Sequence, residues 1–173
     1  MASYCSFCRL RPVGDLHRVY HDREYGSRID GDNELFGRLL LEINQAGLSW
    51  ETILKKQDHF RRAYHGYEIA TVAAYTQQDQ ARLMGDPGII RNRLKVDAAI
   101  VNAQRILLLQ AEFGSFRAWI ERHHPQPLSG WVRLFKKTFR FTGGQIVNEF
   151  LVSTAYLPGA HDEDCYRFRP PVD

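Results

Sequence analysis

Residues 33–63 read NELFGRLLLEINQAGLSWETILKKQDHFRRA, and this stretch decides the fold. Leu35, Phe36, Leu39, Leu40 and Ile43 recur every three or four residues, the period of one helix face. Asn33 is a candidate cap for that helix, which runs to about Gln45. Ala46-Gly47-Leu48 reads as a turn. Ser49 caps a second helix, and Glu51 stands favourably in its first turn, where backbone N–H groups are unpaired. Gly66 stops it.

Outward from there the same pattern repeats. A short helix is predicted near Glu68–Ala74. Thr76 and Asp79 form a capping-box pattern ahead of a helix ending at Met84. Gly85-Asp86-Pro87-Gly88 is a tight turn. A long helix follows, about Arg91–Glu112, with Leu94, Ala98, Val101, Arg105 and Leu108 spaced by three or four. SFRAWIERHH, the basic WVRLFKK and QIVNEFLVSTAYL are three further helices. The first 32 residues and the tail GAHDEDCYRFRPPVD read as irregular. No segment alternates like a strand, and no Asn-Gly hairpin signal occurs. The expected fold class is all-α, with irregular ends that something must fix.

A chain of 173 residues suits one domain or two small lobes. No run of 18 apolar residues exists, so no membrane span is expected, and the start has no apolar signal core, which makes the cytoplasm the default location. The net charge of +3 does not by itself call for a nucleic-acid partner. Three cysteines argue against a disulfide framework and leave metal ligation or burial to explain them.

Four soft donors lie near the two ends: Cys8, His21, His161 and Cys165. Two thiolates and two imidazoles suit a closed tetrahedral zinc, which would replace a missing core at the termini. Cys5 competes with Cys8, because Cys-x-x-Cys is itself a zinc half-site. Two buried thiols and two surface histidines is the plainer alternative.

The glycine-containing turn at 85–88, followed by Ile90, Arg91, Arg93 and Lys95, resembles a helix-hairpin-helix. Backbone N–H groups in such a turn can hold a phosphate, with the basic side chains behind it. An ordinary helical hairpin with a solvated basic face would look the same. Glu42 stands inside the apolar face of the first helix, so it needs either a partner or a cavity. Tyr20, Tyr25 and Trp50 offer flat faces to an aromatic ligand.

Together these motifs resemble the 3-methyladenine DNA glycosylase I family, among the helix-hairpin-helix DNA glycosylases. The matching residues are Cys8 thirteen positions before His21, YHD-x-E-Y-G at 20–26, LE-x-x-QAGLSW at 41–50, GIIRNRLK at 88–95, FRFTGGQIVNEF at 139–150 and His161-x-x-x-Cys165. They span nearly the whole chain. The resemblance implies a two-lobed bundle, with a terminal lobe of about 1–40 plus 120–173 and a hairpin lobe of about 41–119. It implies structural zinc at Cys8, His21, His161 and Cys165, with spacing favouring Cys8 over Cys5. It implies that Glu42 reads the edge of an extruded base while Tyr20 and Trp50 pack on its faces.

On the same resemblance, the partner is alkylated double-stranded DNA, the enzyme is a monomer, and it hydrolyses the N-glycosidic bond of N3-methyladenine without a Schiff base. Gly47 and Leu48 would enter the duplex, while Gly88, Ile90, Arg91 and Lys95 would meet its backbone. The chain departs from the family pattern at Leu10, His17 and Tyr25, and at Asn148 and Glu149, where an aromatic and a small residue are common. Rival readings are a non-catalytic zinc-stabilised DNA-binding module and a metal-dependent hydrolase using His21, Asp22 and Glu24.

Overall fold

The computed structural model describes residues 3–170, and among these every regular element is helical. Ten α-helices follow in order: α1 (Tyr4–Arg9), α2 (Leu16–Arg23), α3 (Asp32–Gln45), α4 (Trp50–Ala63), α5 (Ile69–Ala73), α6 (Gln77–Met84), α7 (Arg93–Phe113), α8 (Phe116–His123), α9 (Leu128–Thr138) and α10 (Gly144–Ser153). The all-α expectation holds. None of the described helices is long and apolar enough to cross a membrane.

The first 32 residues are more regular than expected. Ser3 caps α1 by accepting from the Ser6 N–H, and Asp15 caps α2 by accepting from His17 and Arg18. Both helices are short, six and eight residues, too few for a hydrophobic period to announce them. The capping signals at Ser49 and Thr76 act as read, the latter with both halves of its capping box formed, and Ser115 caps α8 as well.

Helix α3 is the centre. Every residue from Leu35 to Asn44 is buried, and α3 packs against α4, α7, α8 and α10. The stripe predicted for it therefore covers only part of its contacts. Asp32 ties its start to α8, accepting from the Phe116 N–H at 2.8 Å and the Arg117 N–H at 3.1 Å. In α7 the buried face is Val96, Ala99, Ile100, Ala103 and Ile106. The predicted set was out of phase: Ala98 is buried, but Leu94 and Leu108 are 68% and 62% exposed. The helix is apolar around most of its circumference, so a three-four spacing can be drawn on the wrong face.

Candidate functional site

The four-donor cluster forms, but with Cys5 in place of Cys8. Cys5 Sγ lies 3.3 Å from His21 Nε2 and 3.6 Å from His161 Nδ1. Cys165 Sγ lies 3.6 Å from His21 Nε2 and 3.9 Å from His161 Nδ1. A zinc ion with ordinary sulfur and nitrogen bond lengths would hold its tetrahedral donors about 3.6 Å apart. The donor set thus fits a closed four-coordinate ion. Both imidazoles are also held from behind: His21 Nδ1 meets Asp22 Oδ1 at 2.8 Å, and His161 Nε2 meets the Tyr25 carbonyl at 2.9 Å. Such outer contacts fix ring orientation in metal sites.

The correction at Cys8 has a simple cause. Both thiols are buried on α1, but they meet different partners. α1 turns Cys5 toward His21, while the buried Cys8 thiol points to the His17 carbonyl at 3.6 Å. The closed arrangement of four donors also leaves the hydrolase triad unsupported: His21 belongs to the cluster, Asp22 supports it, and Glu24 pairs with Arg38 at 2.9 Å.

Glu42 is buried, and among the described residues no side chain or backbone group hydrogen-bonds its carboxylate. Burial pushes its pKa up to about 8, against the pull of Arg38 and with a further push from Glu149. Beside it stand Tyr20, Tyr25 and Trp50. Tyr20 is buried, and its ring centroid lies 5.2 Å from that of Trp50 and 5.7 Å from that of Tyr25. A flat ring inserted between Tyr20 and Trp50 needs about 7 Å, two van der Waals spacings of about 3.5 Å. The two rings here pack on each other, so admitting a base between them requires one to move. Trp50 opens α4, and its buried indole N–H has no partner among the described residues.

Sequence reasoning missed Arg38. Its guanidinium is buried, donates to the Tyr20 hydroxyl at 2.7 Å and pairs with Glu24. The available signal was its position four residues before Glu42, on the same side of α3.

The proposed DNA residues divide. Gly47 has φ +80°, which favours glycine, and it presents Leu48 at 38% exposure. This turn faces Gly143, Gly144, Gln145 and Ile146 across a cleft of about 450 Å³, so two distant motifs meet. Arg91 is exposed and Ile90 half-buried. The Gly88 N–H is taken by Asp86 Oδ1 at 2.8 Å, so it is not free for a phosphate. Lys95 is a further correction: it is only 4% exposed, and its ammonium binds the carbonyls of Asn44 and Ala46 at 2.8 and 2.7 Å. The carbonyls at the end of α3 attract the cation inward.

The Methyladenine glycosylase family matches residues 12–131. DNA-3-methyladenine glycosylase 1 of Escherichia coli (strain K12) is 40% identical over 114 residues, 64% of this chain and 61% of that protein. The corresponding enzyme of Haemophilus influenzae is 38% identical over 91 residues, 53% of this chain and 49% of that protein. The matches therefore span about half to three-fifths of these curated relatives. A solved 3-methyladenine DNA glycosylase I from Staphylococcus aureus superposes with a TM-score of 0.83 at 29% identity, covering 95% of this chain and 97% of that one. The family match runs through Tyr20, Glu42, Trp50 and the α6–α7 turn, well over half of the sequence, and the protein belongs to the Methyladenine glycosylase family.

Proposed function

We propose that this protein excises N3-methyladenine from alkylated double-stranded DNA by hydrolysing the bond between base and sugar. The observation that carries the reading is Glu42, a buried carboxylate with no hydrogen bond among the described residues, set beside Tyr20, Tyr25 and Trp50. An unpaired buried carboxylate is costly without a ligand, and a cationic base would relieve that cost. The relatives named as 3-methyladenine glycosylases support the same assignment.

Alkylation leaves the base positively charged, so its bond to C1′ is already weak. The chain's residues need only extract the base, hold it and let water reach the sugar carbon. Glu42 accepts hydrogen bonds from the base edge, and Tyr20 and Trp50 stack on its faces once the rings have parted. Each cation–π contact contributes about 0.5–2 kcal/mol. Water adds at C1′, its proton passes to solvent, and the neutral base leaves an abasic site. No lysine falls in the matched pocket motifs, so the enzyme is monofunctional.

Leu48 fills the gap in the duplex, with Gly47 allowing close approach. The α6–α7 turn acts as a helix-hairpin-helix, with Ile90 and Arg91 against the DNA backbone and Gly88 shaping the turn. The chain works as a monomer, its pocket between a hairpin lobe of about 41–119 and a terminal lobe of the remaining residues. Zinc bound at Cys5, His21, His161 and Cys165 is structural, since a closed four-ligand site offers no position for substrate. The test is release of free bases from methylated duplex DNA, with the products identified. Free 3-methyladenine is expected, and DNA binding without base release would overturn the reading.

A further inference from the structure

We propose that Glu149 is a specificity residue of the same pocket, a second carboxylate that makes the site select bases by positive charge. This inference rests on the base-pocket reading above.

The placement follows from α10. The Gly26 N–H donates to the Ser153 carbonyl at 2.9 Å, which docks the segment carrying Tyr25 on the end of that helix. Glu149 lies one turn before Ser153 on the same helix. α10 also packs against α3, the helix that carries Glu42. Glu149 is half-buried, and no cation pairs with it among the described residues. Among the described residues its only side-chain hydrogen bond comes from the adjacent Asn148 amide, at a long 3.5 Å.

The electrostatics agree with that placement. Among charged neighbours, Glu149 has the largest effect on Tyr25, and it also pushes Glu42 upward. Burial raises the Glu149 pKa itself. Two carboxylates therefore act on one aromatic pocket, and only Arg38 opposes them there, with that guanidinium already bonded to Tyr20 and Glu24. At a pH where both are ionised, such a site carries an excess of negative charge. A neutral purine leaves the repulsion standing. A base carrying a fixed positive charge removes it, so the second carboxylate widens the preference for alkylated over intact bases.

The discriminating ligands are 3,9-dimethyladeninium, a permanent cation, and 9-methyladenine, its neutral counterpart. Binding to the full-length zinc-loaded protein is followed by Trp50 fluorescence or calorimetry. In wild type the cation should bind more tightly than the neutral base. Glu149→Gln should cut that ratio by about tenfold, chiefly by weakening the cation, while neutral binding stays within about twofold. Glu149→Ser should do the same, which separates charge from side-chain bulk. An unchanged ratio in both variants, or equal weakening of both ligands, would overturn the role of Glu149 and leave the pocket assignment standing. A wild-type protein that binds neither ligand would overturn both.

Discussion

Arg38 donates to the hydroxyl of Tyr20 across 2.7 Å of buried space, and its guanidinium carbon lies 4.9 Å from the centre of the same ring. One cation thus fixes the Tyr20 ring and opposes the charge of Glu42. Arg38→Met keeps much of the apolar stem but removes both hydrogen bonds. It should destabilise the fold by about 1–3 kcal/mol, because Tyr20 and Glu24 lose their donor. It should also raise the Glu42 pKa further. Urea unfolding and the pH profile of excision together check this, and an unshifted profile would separate Arg38 from the pocket.

Glu42 holds its proton up to about 8 in the folded protein, against about 4.5 when free. Between those values the native state binds a proton that the unfolded chain has lost, so stability falls as pH rises through the window. Each pKa unit corresponds to about 1.4 kcal/mol, which makes the effect several kcal/mol in scale. Glu42→Gln should remove that slope and melt higher than wild type near the upper end. Excision should show the opposite trend: it should rise with pH in wild type, as the carboxylate ionises to meet a cation. In the Gln variant it should be lower by roughly 10- to 1,000-fold, with that limb absent. Near-wild-type excision by a destabilised variant would remove Glu42 from the pocket.

Cys5 and Cys8 differ in kind. Cys5→Ser should lose the bound zinc and with it several degrees of melting temperature, since metal binding is part of the folding energy. Cys8→Ser should keep about one zinc per chain, because the Cys8 thiol bonds a carbonyl instead. Metal analysis of the two purified variants decides, and the reverse pattern would restore the pairing read from spacing.

Lys95 and Arg91 should also separate. Lys95→Met leaves the carbonyls of Asn44 and Ala46 without their partner and should cost about 1–3 kcal/mol of stability. The salt slope of DNA binding should hardly change. Arg91→Ala should leave stability alone and reduce that slope by about one. Equal salt slopes for wild type and the Arg91 variant would take Arg91 off the DNA backbone.

Leu48→Ala should weaken binding to a duplex carrying an abasic analogue more than binding to the corresponding single strand. The large side chain, 38% exposed, has a stack to fill only in the duplex. Equal losses on both would count against insertion.

The helices around residues 33–63 were legible through their apolar period and the cap at Ser49, but Asn33 is no cap: α3 starts at Asp32 behind Gly31, and the Asn33 side chain accepts from the Ile69 N–H instead. What failed, failed for particular reasons. Cys8 looked right by separation along the chain, but a ligand set depends on which side of α1 faces inward, and α1 was not visible as a helix. Lys95 looked like a surface cation, but its long stem reaches carbonyls left open at the end of α3, 49 residues away from Ala46 in sequence. Arg38 was hidden in plain view, since a single charge among leucines reads as surface until the helix is found buried all round.

The cluster joins Cys5 to Cys165 across nearly the entire chain. During synthesis those donors can meet only after Cys165 has left the ribosome. Helices α3 to α8 have their mutual contacts available earlier, so this core can assemble while Cys5 and His21 still wait. Closing so long a loop is slow relative to local helix packing. Because His161 also holds the Tyr25 carbonyl, the segment that completes the cluster is also the one that positions Tyr25.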